Sequence, residues 1–199
     1  MMPELEKREL EIACQQILLP DASVYSVQWV DLPAPFSSRV KASLLLQHYF
    51  KVITKRTFGL ISPTVTVEGV QFRIVATRFA LLSFSPPRFE VDEAGEAVHL
   101  CICGGFLVQA GECDRGMFSL LSAAHDGGLR ITVQLSDYCP LLLGSRTPSR
   151  MRKLLYRLTQ AYLHKVVTVR YLSSLYGELT GAKPRPGVKK VQVREGTEI

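Results

Sequence analysis

The feature that most restricts what this chain can fold into is the apolar stripe of residues 148–176. Met151, Leu155, Leu158, Tyr162, Val169 and Tyr176 recur at helical spacing, and Leu154, Val166 and Leu172 broaden the stripe. Thr147-Pro148 offers a start: a capping hydroxyl, then a proline whose missing N–H costs nothing in the first turn. Gly177 or Gly181 offers the stop, with Pro184 beyond. At 1.5 Å per residue such a helix is about 43 Å long. A stripe that wide and that long needs a broad apolar partner.

The partner is predicted just upstream. From about residue 57 to 137 the hydrophobic pattern changes to period two. Val70, Phe72, Ile74 and Ala76 alternate with Gln71, Arg73 and Thr77. Glu68-Gly69, DEAGE (92–96) and DGG (126–128) read as turns, ECDRG (112–116) as a weaker one, and SPPRF (85–89) as a break. Between them lie VHLCICGGFLVQA, MFSLLSAA and LRITVQLSDY. No helical pattern intervenes, so these segments predict an antiparallel meander. Ahead of it, Leu10, Cys14, Ile17 and Leu18 predict a short amphipathic helix over 3–19. SVYSVQWVDL (23–32) reads as a strand that ends at PAPF (33–36). Ser37 or Ser38 can then cap an apolar helix over 38–53.

The fold class predicted is α+β: a strongly curved antiparallel sheet of about six to seven strands wrapped around a long C-terminal helix. The expected parts are an N-terminal helical extension (1–20), the main domain (21–177) and a basic tail (178–199), in which VKKVQV could add a short strand. Three stretches resemble the START-like helix-grip superfamily, the polyketide-cyclase and lipid-transport (SRPBCC) group. VQWVDLPAPFSSRV is similar to its first strand running into the first helices. GGLRITVQLSDYCP is similar to its final strand, and the long helix follows directly. The resemblance covers residues 22–176 and is one of element order. It implies a cavity between sheet and helix that holds an apolar or amphipathic small molecule. The alternatives are a cyclase- or hydratase-type enzyme on the same fold, or an interaction protein that uses its basic helix face.

Composition narrows the setting. Of 199 residues, 47% are hydrophobic and 21% charged, as in an ordinary globular core. No apolar run approaches the roughly 18 residues that span a bilayer. The N-terminus mixes acids and bases without an apolar core, so no secretory signal is read there. Five cysteines form no even framework, which points to reduced thiols and a cytoplasmic location. Charge is uneven. Residues 1–145 hold 12 basic and 15 acidic side chains (−3), whereas residues 146–199 hold 12 and 3 (+9). Arg150, Lys153, Arg157 and His164 fall on one helix face opposite the stripe. That ridge reads first as a plain solvated helix face, and it would also suit an anionic membrane surface or an acidic protein. Nucleic acid is not expected, because no aromatic platform interleaves with the charges.

HLCICGG (99–105) looks like a metal site, with His99, Cys101 and Cys103 on one strand face. Alternate residues on a strand stand about 6–7 Å apart. Three at that spacing do not close around a zinc ion with bonds of about 2.0–2.3 Å. The expectation is an ordinary strand face, with no metal and no cofactor. Gly104-Gly105 is read as a bend in a curling sheet. Leu100, Ile102, Phe106, Ile131, Val133, Leu135, Leu158 and Tyr162 are the expected ligand-binding residues. No nucleophile constellation surrounds His48, His99, His125 or His164, so no catalytic residue is assigned. Arg73 and Arg78 would meet an anionic ligand only if they point inward; the expectation is that they point outward.

Overall fold

The computed structural model describes residues 9–33, 40–77, 79–112, 114–144 and 148–199. Two strands, β1 (Glu9–Leu18) and β2 (Val24–Leu32), precede a helix, α1 (Ala42–Arg56). A meander follows: β3 (Ile61–Thr66), β4 (Gly69–Ile74), β5 (Ala80–Phe84), β6 (Arg88–Val91), β7 (Gly95–Gly104), β8 (Met117–His125) and β9 (Gly128–Tyr138). The C-terminal helix runs as α2 (Arg150–Tyr156), a π-helical turn (Arg157–Ala161) and α3 (Tyr162–Thr180). Two short strands, β10 (Arg185–Lys190) and β11 (Thr197–Glu198), end the chain.

All strands join one sheet in the order β10-β1-β2-β9-β8-β7-β5-β4-β3, with β11 beside β1 and β6 beside β7. Every pairing is antiparallel except β1 with β10. The fold is therefore the α+β class expected, a curved sheet against a long C-terminal helix. Bends produce the curvature. Gly105 has φ +116°, and a Cβ there would stand 2.5 Å from the Leu81 carbonyl oxygen. Only glycine permits that close approach between backbones.

The concave face is continuously apolar. Val98, Leu100 and Ile102 of β7, Phe118 and Leu120 of β8, and Ile131 and Val133 of β9 are all buried. α1 and α3 lie together in this concavity. Tyr49 of α1 meets Tyr171 of α3 edge-on at 5.1 Å and Phe118 at 4.8 Å. The Tyr171 hydroxyl donates to the Leu45 carbonyl at 3.3 Å, so the buried phenol keeps a partner. Phe72, Phe84 and Phe118 extend the aromatic contact across the sheet. Glu96 caps α1 from β7 by accepting from the Ala42 N–H at 2.9 Å. The expected caps Ser37, Ser38 and Thr147 lie outside the described residues. Ser149 caps α2, and Gly181, at φ +71°, ends α3.

Four expectations are corrected. Residues 9–18, expected as helix, form a strand. Leu10, Ile12 and Leu18 face the core with period two, a pattern that coexists with the helical spacing of Leu10, Cys14, Ile17 and Leu18. Pairing with β2 decides between them, through a turn held by Asp21, which accepts from the Ser23 N–H. The segment expected as a tail is tied down. β10 adds to the edge of β1, and Gln15 bonds the backbone of Val193 and Arg194 over the outer face. Phe106 does not continue the inner face of β7, because the Gly104-Gly105 bend turns it out to 60% exposure. Finally, the first half of the expected stripe on the C-terminal helix is not buried, whereas Leu172 and Tyr176 of its second half are. Met151, Leu154, Leu155, Leu158 and Tyr162 are exposed, the last two at 63%. Tyr156, Ala161, Val167, Tyr171, Leu172, Leu175 and Tyr176 are the buried ones. The π-helical turn inserts an extra residue, which breaks the register of a single stripe.

Candidate functional site

A cavity of about 140 Å³ lies beneath the C-terminal helix. α1 contributes Tyr49 and Ile53; β4 and β5 contribute Phe72, Leu81 and Leu82. β9 contributes Leu135 and Tyr138, and Leu107 closes one side. The roof is Tyr156, Gln160, Leu163, His164 and Val167. The volume resembles that of dry engineered cavities of about 150 Å³ that admit benzene. It is below the roughly 300–1,000 Å³ of sites that enclose a drug-sized ligand. A six-membered ring or a short acyl segment fits inside; anything larger must extend through the mouth, where Leu163 is half exposed.

The walls are mostly apolar; Tyr49 and Thr57 bring hydroxyls on the α1 side, and the main polar group lies on the roof and the adjoining end of β9. Tyr156, Gln160 and His164 follow one another at four-residue intervals, so one helix face carries all three. The Tyr138 hydroxyl donates to the Leu107 carbonyl at 2.7 Å. The Gln160 carboxamide approaches that hydroxyl but does not reach hydrogen-bond geometry, and both its polar atoms are buried without a partner. Burial in this apolar setting pushes the His164 imidazole down to about 4. It also pushes the Tyr138 and Tyr156 phenols up, with each phenol's neighbours acting as smaller effects. At neutral pH the wall therefore holds an uncharged imidazole, two un-ionised phenols and a free amide. It can donate and accept hydrogen bonds. It is a poor proton acceptor, since a useful general base titrates nearer the working pH.

The sequence-predicted residues divide. Leu135 lines the cavity. Leu100, Ile102, Ile131 and Val133 are sealed in the core beneath the sheet face. Phe106, Leu158 and Tyr162 face outward. Of the basic ridge, Arg150 and Arg157 are exposed and Lys153 is half buried, whereas His164 turns into the cavity. Arg73 points away from the core and donates to Gln71 at 2.7 Å; Arg78 lies outside the described residues. His99 stands on the outer face, 2.7 Å from the Ser119 hydroxyl. His125 pairs with Asp126 at a turn, and His48 with Glu178. Tyr138, Tyr156 and Gln160 were missed. Their signal was present as the four-residue recurrence of Tyr156, Gln160, His164 and Thr168, but the apolar stripe beside it looked the better inner face.

No helix among the described residues is long and apolar enough to cross a membrane. No protein-family model matches the chain, and no curated protein is significantly similar to it. Among solved structures, the crystal structure of CalU16 from Micromonospora echinospora is similar over 87% of this chain and 86% of that one. The sequence identity is 14% and the TM-score 0.37.

Proposed function

We propose that the protein binds a small apolar or amphipathic molecule in the cavity between sheet and C-terminal helix, with a hydrogen-bonding group of the ligand at the Gln160–His164 wall. The observation that carries this reading is the unpartnered Gln160 carboxamide set into an apolar cavity. A buried polar group without a partner costs about 1–3 kcal/mol, which a ligand hydroxyl or carbonyl would recover. Binding fits the site better than catalysis, because the imidazole there is held too low to take a proton at neutral pH. The test uses an apolar fluorescent dye, a phenol and a medium-chain fatty acid, with native mass spectrometry of the protein purified without additions. One dye per chain is expected. Leu163→Trp should narrow the mouth and weaken every ligand. Gln160→Leu should spare the dye but weaken the phenol about three- to tenfold, the equivalent of one hydrogen bond. Dye binding indifferent to Leu163→Trp, or phenol binding indifferent to Gln160→Leu, would refute the assignment.

A second reading concerns delivery. Met151, Leu154, Leu155, Leu158 and Tyr162 form an exposed apolar face on the cavity's roof, and Arg150 and Arg157 stand exposed among them. An apolar face edged by arginines suits an anionic lipid surface, from which an amphipathic ligand would be drawn. Co-sedimentation with vesicles containing phosphatidylserine, but not with purely zwitterionic ones, is expected. Leu155→Glu should abolish it.

A further inference from the structure

We propose that Cys101, Cys103 and Asp114 form a zinc-binding site on the outer face of the sheet, where β7 bends. The two Sγ atoms and a carboxylate oxygen all lie within 4.8 Å of one another. A tetrahedral zinc ion with Zn–S bonds of about 2.3 Å and Zn–O bonds of about 2.0 Å needs ligand atoms roughly 3.5–3.8 Å apart. Closing a gap of about 1 Å takes only small χ1 adjustments of side chains that are at least partly exposed.

The backbone explains why these groups converge although a flat strand would hold them apart. Ile102 lies between the two cysteines with its side chain buried, so both thiols project outward. The Ile102 N–H donates to the Gly116 carbonyl at 2.7 Å, and the Asp114 N–H donates to the Ile102 carbonyl at 2.9 Å. The chain at 114–116 is thereby pinned beside the strand end, and Asp114 is delivered next to the thiol pair. Gly104, at φ +155°, breaks the strand immediately after Cys103. Asp114 sits at φ +67°, a conformation that aspartate tolerates better than most residues. Its chain neighbour Arg115 is occupied by Glu112 and Asp21.

The donor set selects the ion. Calcium and magnesium take six or more oxygens, which two thiols exclude. Two thiolates with one carboxylate suit a borderline-soft divalent ion such as zinc, with water in the fourth position. On binding, the two S–H protons pass to solvent as the two Zn–S bonds form, with no change of oxidation state. The site is on the opposite face of β7 from the core, so it is independent of the cavity and its ligand.

The test is titration of the reduced, metal-stripped full-length protein with cobalt(II) and then zinc(II). One cobalt per chain is expected, with tetrahedral ligand-field bands and thiolate charge transfer, displaced by zinc with release of about two protons. Loss of a supporting group around a zinc site costs about 10- to 100-fold in affinity, so loss of a ligand should cost at least that. Cys101→Ser and Cys103→Ser should each weaken zinc by about 100-fold or more. Asp114→Asn, which keeps the backbone conformation, should weaken it at least about tenfold and retain the charge-transfer band. Cys14→Ser, at a buried position on β1, should change nothing. Circular dichroism confirms that each variant is folded. An unaltered cobalt spectrum in the Cys101/Cys103 double variant would overturn the site. So would an octahedral spectrum without charge transfer, or full affinity in Asp114→Asn.

Discussion

His164 ties the stability of the protein to pH, and the size of the effect follows from where the ring sits. In the folded chain it lines an apolar cavity beside two phenols and an amide, and burial lowers it to about 4. Unfolded, it titrates near 6.5. Above about pH 6.5 the ring is neutral in both states and contributes no pH dependence. As pH falls from about 6.5 to about 4, the unfolded chain takes up a proton that the folded chain refuses. Stability is then lost at up to about 1.4 kcal/mol per pH unit, about 3 kcal/mol over the whole window. Because the residue keeps some solvent contact, that figure is an upper limit. His48 is also lowered, chiefly by burial, so the wild-type curve alone does not isolate His164. The perturbation is therefore His164→Gln, which keeps a polar side chain and removes the titration. Urea unfolding of both proteins from about pH 7.5 to pH 4 gives a stability difference that should be flat above about 6.5 and fall below it. A difference constant within about 0.5 kcal/mol over that range, or an imidazole NMR titration midpoint above 6, would refute the buried neutral ring.

The C-terminal helix yields a paired test. Leu172→Ala, at a fully buried site, should cost about 2–5 kcal/mol, whereas Leu158→Ala, at an exposed one, should stay within about 0.5 kcal/mol in the same denaturant assay. Tyr171→Phe removes the donor to Leu45 and should cost about 1 kcal/mol, read by thermal unfolding. Gly105→Ala places a Cβ against the Leu81 carbonyl at positive φ, and should destabilise by more than about 1 kcal/mol. Truncation after Ala182 removes β10 and β11 and bares the β1 edge, so light scattering should report association that the full chain does not show.

How far the fold could be read from sequence depended on whether a segment's pattern had one reading or two. The meander from β3 to β9 had one. Val70, Phe72, Leu100, Ile102, Ile131 and Val133 alternate with polar neighbours, and the turns before β4, β7 and β9 carry glycine and acidic residues, so these strands and their buried face follow from local chemistry. Residues 9–18 had two. Leu10 with Cys14 and Ile17 suits a helix, Leu10 with Ile12 and Leu18 suits a strand, and only the presence of β2 on one side and β10 on the other chooses.

The candidate site divides in the same way. Sequence alone determined that a long helix follows the last strand and that an apolar sheet must receive it, because period and length are properties of the segment itself. It did not determine which face of the helix the sheet receives. Tyr156, Gln160 and His164 face inward while Leu155, Leu158 and Tyr162 face outward, a choice set by packing against α1 and β9 rather than by the helix's own pattern. Likewise the strand face of Cys101 and Cys103 was legible, since alternation fixes it. The arrival of Asp114 beside them was not, because it depends on hydrogen bonds between Ile102 and a loop more than ten residues further along the chain. Local periodicity acts within a segment, whereas a site is made where segments meet, and that meeting is decided by tertiary contacts.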